Sequence, residues 1–324
     1  MLNWRAMNTT SRRYFLERLA VSAALCGAPR ALWGFGGTSQ PNVQFPSEPK
    51  ERIAIASYPF REFIRGKHDA GGAANAKMEI KDFAAHAREK FGISKIEPWS
   101  EHFLSLEPAY LTEIRAEVEG AGGAVVDVAA DGGYSAYAKS REEREQAVAF
   151  SKKWIDAAAA VGSPSVRTNI AGARDAKPDV EVLADSLKKV ADYGEQKNVV
   201  VHLENDNPVS ENPFFLVKVI ERVKSPWLRA LPDFGNSVGA LPEAEAYRGI
   251  DEMFAQAYGI SHVKNASETK GGKLIRVDME RTFAIAAKHG YKGYFSMEWD
   301  SAGDPYAGTK ELIEATLKAL AAKA

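Results

Sequence analysis

A closed (β/α)8 barrel, an α/β TIM barrel in a single domain, is the fold class the sequence predicts, and three observations predict it. From residue 52 onward, short apolar β-type runs alternate strictly with longer stretches of helical periodicity. Eight runs of each kind fit into about 275 residues, a typical length for such a barrel. The first run is followed by SYPFREF, without the glycine-rich turn that usually opens a doubly wound dinucleotide-binding sheet. Strict alternation implies parallel strands joined by crossover helices.

The elements follow in order. RIAIAS (52–57) is the first strand, and 79–91 the first helix. ISKIE (93–97) precedes a helix over 108–121, in which Leu111, Ile114 and Val118 recur at helical spacing. AVVDVA (124–129) precedes 141–161, whose end is marked by Gly162. PSVRTN (164–169) leads to 179–197, VVVHLE (199–204) to 212–223, and LRALPD (228–233) to 243–257. The run 260–264 leads to 278–289, which starts on the capping residue Asp278 and stops before Gly290. GYFSME (293–298) leads to the last helix, 306–322.

The chain of 324 residues is 45% hydrophobic and 26% charged, so it can bury a full core and does not read as disordered. Its single cysteine, Cys26, excludes an intrachain disulfide framework and any cysteine-based metal cluster. A net charge of -1 with no dense basic block argues against nucleic acid as a partner. No apolar stretch is long enough for a stable membrane span.

The N-terminus differs in character. Ser11-Arg12-Arg13-Tyr14-Phe15-Leu16, then a modest apolar stretch to Ala28 and Pro29, resembles a twin-arginine export signal. Residues 1–33 are expected to be that signal peptide, 34–50 a linker or extended arm, and 51–324 the barrel. The resemblance implies the twin-arginine export machinery as a partner and a periplasmic or extracellular location.

Four side chains end apolar runs in the C-terminal half: Glu204, Asp233, His262 and Glu298. Taken singly, each has a plain explanation: a salt-bridged Glu, a turn or capping Asp, a satisfied core His. In a parallel barrel, however, the carboxyl ends of successive strands converge on one mouth, so the four become neighbours. Three carboxylates and one imidazole suit one hard or borderline divalent cation, Mn, Mg or Co, with Zn also compatible, and not a structural thiolate zinc. Lys264, two residues past His262, falls on the same face of its strand. Tyr58, Arg61, Glu97, Trp99, Arg167, Asn207, Asn236 and Trp299 stand at or near strand ends and are candidates for substrate binding. His102 is expected on a surface loop.

The motifs HLEN with Glu204, PDFGN with Asp233, HVKN with His262 and Lys264, and GYKGYFSMEWD with Glu298 resemble the xylose isomerase-like barrels. The likeness is to the sugar phosphate isomerase/epimerase group in particular and extends over about residues 52–322. It implies that the four residues bind one metal ion, and that Glu204 and Glu298 move a proton next to a substrate carbonyl through a metal-stabilised enediolate. Lys264 would stabilise the developing oxyanion. The expected activity is isomerisation or epimerisation of a sugar or keto-sugar, with β-elimination by a lyase on the same site, or a non-catalytic carbohydrate-binding barrel, as alternatives. Asn236 replaces a substrate-binding histidine of the ketose epimerases and Glu268 an expected arginine, so sugar recognition must differ here. Phosphodiester hydrolysis by a multi-metal centre needs more histidines than this ligand set provides. A homo-oligomer is compatible with the sequence but not specified by it.

Overall fold

The computed structural model describes residues 39–67, 76–269 and 271–322. The expected signal peptide and the start of the 34–50 segment lie outside them. The strands are β1 (Ile53–Ala56), β2 (Lys95–Glu97), β3 (Ala124–Val125), β4 (Ala129–Ala130), β5 (Ser165–Thr168), β6 (Val200–Glu204), β7 (Leu228–Leu231), β8 (Ile260–Val263), β9 (Ala266–Glu268), β10 (Leu274–Arg276) and β11 (Tyr294–Met297). One parallel sheet has the order β3-β2-β1-β11-β8 and a second the order β4-β5-β6-β7.

Two seams join these sheets into one barrel. At the first, β3 and β4 are successive halves of one barrel strand, expected from the sequence as an unbroken run over 124–129. The ladder is interrupted where Asp127 turns its carboxylate inward and takes the Arg167 amide (3.1 Å) and the Ser165 hydroxyl (2.5 Å). At the second seam, Asp233 pairs with His262, the His262 amide donates to Pro232 O and the Phe234 amide to His262 O, both at 3.1 Å. Eight strand positions therefore close the ring, as the alternating pattern predicts.

The helices are α1 (Phe83–Phe91), α2 (Pro108–Gly120), α3 (Arg141–Ala160), α4 (Val180–Lys197), α5 (Pro213–Val223), α6 (Asn236–Ala240), α7 (Glu243–Ala255), α8 (Met279–Lys288) and α9 (Pro305–Ala321). Their starts are set by short polar caps: the Asp179 carboxylate accepts from the amides of Glu181 and Val182, and Asp278 accepts from that of Arg281. Asn212 and Asp304 cap helices whose first residue is proline, which has no amide hydrogen to satisfy. The buried faces of these helices cover the outer side of the strands in one continuous core. No helix among the described residues is long and apolar enough to cross a membrane.

Two elements have no counterpart in the sequence reading. Short α6 follows Asp233, and β9 and β10 form an antiparallel hairpin after β8, with Leu274 opposite Glu268. Both insertions stand at the carboxyl ends of barrel strands. They pack closely, since a Cβ on Gly239 of α6 would come within 2.4 Å of Ser267 Oγ.

The described part of the 34–50 segment runs as an arm without regular structure until residue 49. Trp227 Nε1 donates to Ser39 O at 2.7 Å and the Tyr258 hydroxyl to Pro41 O at 3.0 Å. Phe45 meets Tyr258 and Tyr294 edge-on, with ring centres 5.4 and 5.8 Å apart. It packs against Ala54, Val126, Leu231, Ile260 and Tyr294, an apolar cluster. Phe45→Ala is predicted to lower stability by about 2 kcal/mol, below the usual cost for a fully buried Phe because Phe45 is only partly covered. Urea unfolding measures this, and an unchanged midpoint would show that the arm contributes nothing.

Candidate metal centre

Side chains alternate in and out along a strand, so Tyr294, Ser296 and Glu298 share the inward face at β11, as Ile260, His262 and Lys264 do at β8. Glu204 ends β6, and Asp233 lies two residues beyond β7. All four predicted ligands are buried, and one donor atom from each can be chosen so that all lie within 4.8 Å of one another. Cation–ligand bonds of roughly 2.0–2.6 Å hold ligands no farther than about 4–5 Å apart, so the cluster has the size of a single-ion site.

The imidazole sets the geometry. His262 Nδ1 lies 3.0 Å from both Glu204 Oε1 and Glu298 Oε2, and 3.9 Å from Asp233 Oδ2. Its Nε2 is 2.8 Å from Glu97 Oε1. With Glu97 accepting the Nε2 hydrogen, the lone pair of Nδ1 is turned toward the carboxylates, which is how a ligating histidine is oriented. Asp233 Oδ2 and Glu298 Oε2 are buried and share the single Lys264 ammonium, at 3.5 and 3.1 Å, beside His262 Nδ1. Two buried carboxylates that share one ammonium remain short of positive charge, which a divalent cation would supply. The donor set therefore fits one divalent ion.

The neighbouring groups fix these carboxylates. Asp233 Oδ1 accepts from the amides of Gly235 (2.7 Å) and Asn236 (2.6 Å), leaving Oδ2 to point into the cluster. Asn205 holds the same turn, accepting from the Asp233 amide at 2.8 Å and donating to Ser237 Oγ at 2.7 Å. A Cβ on Gly235 would sit 3.1 Å from Lys264 Cβ, so this close approach favours glycine. Arg167 Nε is 3.1 Å from Glu204 Oε2, and Asn236 Nδ2 donates to Glu204 Oε1 at 3.1 Å. Lys264 Nζ lies 3.1 Å from Glu298 Oε2 and 3.5 Å from Asp233 Oδ2, and donates to Asn236 Oδ1 at 3.1 Å.

Electrostatics divides the carboxylates. Burial pushes Asp233 up to about 7, against the opposing pull of Lys264. Burial raises Glu97 as well. Burial acts the same way on Glu298 and Glu204, but His262 with Lys264, and His262 with Arg167, outweigh it and hold both below the usual carboxylate range. For His262 burial favours the neutral ring, yet Glu298, Glu97 and Glu204 raise it well above its ordinary value. Lys264 and Arg167 stay charged beside their acidic partners.

A cavity of about 150 Å³ opens above the cluster, bordered by Tyr58, Trp99, Arg167, Asn236, Lys264, Glu204 and Glu298. Tyr58 and Trp99 meet edge-on at 5.0 Å. Four residues expected to touch substrate do not line this cavity. Glu97 is 1% exposed and its Oε1 faces His262, so it orients the ring. Asn207 Oδ1 accepts from the amides of Val209 and Ser210, holding the loop after β6. Trp299 turns outward against α9, where a Cβ on Gly308 would strike its indole. His102 is fully buried, with Nδ1 2.8 Å from Ser57 Oγ, which corrects its expected place on the surface. Arg61 lies outside this cavity, 3.6 Å from Asp300 and over the ring of Tyr58.

Sequence reasoning missed Asp131, Asp206 and Asp300, which also line the cavity. Asp131 takes the Trp99 indole hydrogen at 2.6 Å and pairs with Arg167. The Asp-Gly-Gly at 131–133 reads as a turn, and only the pairing of its barrel neighbours reveals its second role.

A family profile described as xylose isomerase-like TIM barrel matches residues 85–322. A xylose isomerase-like TIM barrel protein from Mycobacterium smegmatis, solved in complex with magnesium, is 20% identical; the match covers 84% of this chain and 98% of that one, with a TM-score of 0.65. D-allulose 3-epimerase from Methylomonas sp. is 14% identical over 87% of this chain and 100% of that one, with a TM-score of 0.62. For 3-keto-D-glucoside 4-epimerase from E. coli the values are 16%, 82%, 98% and 0.59. At these identities the likeness bears on the fold. Comparison with curated proteins finds no match.

Glu97→Gln is predicted to weaken Mn or Mg binding about 10–100-fold while the fold is kept, the usual effect of losing a ligand's orienting partner. Calorimetric titration measures it. Binding requires Asp233 ionised and His262 without its Nδ1 proton. Because Asp233 sits at about 7 and His262 above its usual value, affinity should fall as the pH drops through neutrality. Equal affinity at about pH 6 and about pH 8 would contradict this proton linkage.

Proposed function

The chain belongs to the xylose isomerase-like TIM barrel family, and on that premise we propose that it is a metal-dependent isomerase or epimerase of a sugar or keto-sugar. The observation that carries this reading is the pair of buried carboxylates, Glu204 and Glu298, that converge on His262 Nδ1 from barrel strands separated by two others. A divalent cation held by Glu204, Asp233, His262 and Glu298 would supply Lewis acidity to a carbonyl and its neighbouring hydroxyl.

The remaining chemistry falls to the side chains. Glu204 and Glu298 are both held ionised, the state a base needs to take a proton from carbon next to the carbonyl. Their approach from different sides of the mouth lets one remove a proton and the other return one. Lys264, 8% exposed and charged, supplies a fixed positive group for the negative charge that builds on the substrate oxygen. Arg167 and Asn236 hold Glu204 in place, and Trp99 and Tyr58 offer ring surface to the apolar side of a sugar.

Elimination from a keto-glycoside by a lyase begins with the same deprotonation and differs in having a leaving group β to the carbonyl. Product analysis separates the two outcomes. Hydrolysis at a multi-metal centre fits poorly: among the described residues the other histidines are engaged elsewhere, His202 with Asp127, His102 with Ser57, His86 with Tyr306 and His289 with Asp251. The Ser11–Leu16 motif supports an extracytoplasmic location as part of this proposal.

The test is exchange of a substrate C–H proton with deuterated water, followed by NMR across aldoses, ketoses and 3-keto-glycosides with the manganese-loaded protein. Glu298→Gln should slow exchange at least about 100-fold, the usual scale of a lost general base. Exchange at the wild-type rate in that variant would refute the two-carboxylate mechanism.

A further inference from the structure

Beside the cavity over the metal cluster lies a second, larger one of about 410 Å³, bordered by Arg61, Ser267, Glu268 and Ser301. The two share Asn236, Lys264 and Asp300 as walls. Small-molecule sites usually enclose about 300–1,000 Å³, so the metal-side cavity of 150 Å³ is cramped for a complete ligand and its neighbour is not. One wall of the outer chamber is β9 of the β9–β10 hairpin, the insertion that the alternating strand and helix pattern does not require. Its tip is a tight turn, with the Gly272 amide donating to Thr269 O at 2.9 Å and Gly272 at φ 77°.

On the proposed catalytic reading, we infer that the substrate has two units: the reacting sugar over the metal cluster and a second, uncharged hydroxyl-rich unit, a sugar, in the hairpin chamber. Its lining chooses the chemistry. Glu268 and Asp300 contribute carboxylates and Arg61 and Lys264 cations, so the lining carries no net charge, and both cations already face carboxylates, Arg61 at 3.6 Å from Asp300 and Lys264 at 3.1 Å from Glu298, which leaves a phosphate or uronate without a dedicated partner. Hydroxyl groups are suited to this wall, since carboxylates accept and the Ser267 and Ser301 hydroxyls both donate and accept. Ala266 and Ala302 add small apolar surface to the same wall for the C–H face of a ring. The boundary between chambers is the Lys264–Asn236 hydrogen bond, beside which the link between the two units would pass.

Calorimetric titration of the manganese-loaded protein tests this with methyl glucoside and methyl galactoside against trehalose, sucrose, maltose, cellobiose and lactose, each with its 3-keto form, and against trehalose 6-phosphate and sucrose 6-phosphate. The best disaccharide should bind at least about tenfold more tightly than the best methyl glycoside, and its phosphorylated counterpart more weakly. Glu268→Ala and Ala302→Trp, both at exposed positions, should each remove about tenfold of the disaccharide affinity and leave methyl glycoside affinity and the manganese-induced rise in Tm unchanged. Equal affinity for one- and two-unit ligands, equal losses for both in the variants, tighter binding of the phosphorylated sugars, or no binding by any of them would overturn the inference. Disaccharide preference without proton exchange would refute the catalytic reading alone. Proton exchange on a monosaccharide with no gain from a second unit would refute the two-unit substrate alone.

Discussion

The site depends on the imidazole of His262 being committed at both nitrogens. One edge of the ring is held by Glu97 at 2.8 Å, and the other faces Glu204 and Glu298 at 3.0 Å. Burying one imidazole among four carboxylates is unfavourable unless positive charge is shared among them, and Lys264 and Arg167 are the fixed cations within reach. Arg167 is partly spent on Asp131. The remaining excess of negative charge is concentrated where Asp233 Oδ2 and Glu298 Oε2 share the one ammonium of Lys264, and that is where a divalent ion would lower the cost most.

Barrel closure delivers this arrangement. The seam between β7 and β8 is made by the backbone of residues 232–234 and 262, so the hydrogen bonds that complete the ring also set Asp233 against His262. Rigid strands fix the protein ligands, whereas the insertions after β7 and β8 shape what lies above them. Asn236 belongs to both: it donates to Glu204 and accepts from Lys264, and so ties the ion-binding floor to the substrate-facing wall. A site built this way can keep its proton chemistry while its outer wall changes.

The strand ends carrying Glu204, Asp233, His262 and Glu298 are legible in the sequence because a charged residue closing an apolar run has few stable fates, and because period-two alternation assigns its face. The eight helices are legible from apolar spacing and from caps such as Asp278. The hairpin over 266–276 is not, since its strands are three residues long and lack a sustained alternating pattern. Glu97 and Trp299 show a different limit. Both stand at strand ends, but what a side chain meets there depends on neighbours remote in sequence, His262 for one and Gly308 for the other. His102 reads as a surface loop residue in the sequence, whereas the fold buries it with Nδ1 against the Ser57 hydroxyl, a neighbour 45 positions away.

The buried cluster of Glu204, Asp233, His262 and Glu298 has the donors for one divalent ion. Titration of the metal-free protein with Mn(II), followed by electron paramagnetic resonance, measures this directly. One bound ion per chain is expected, absent when Asp233 and His262 are replaced together by Asn and Gln in a protein that still folds. No bound ion, or one retained unchanged in that double variant, would contradict it.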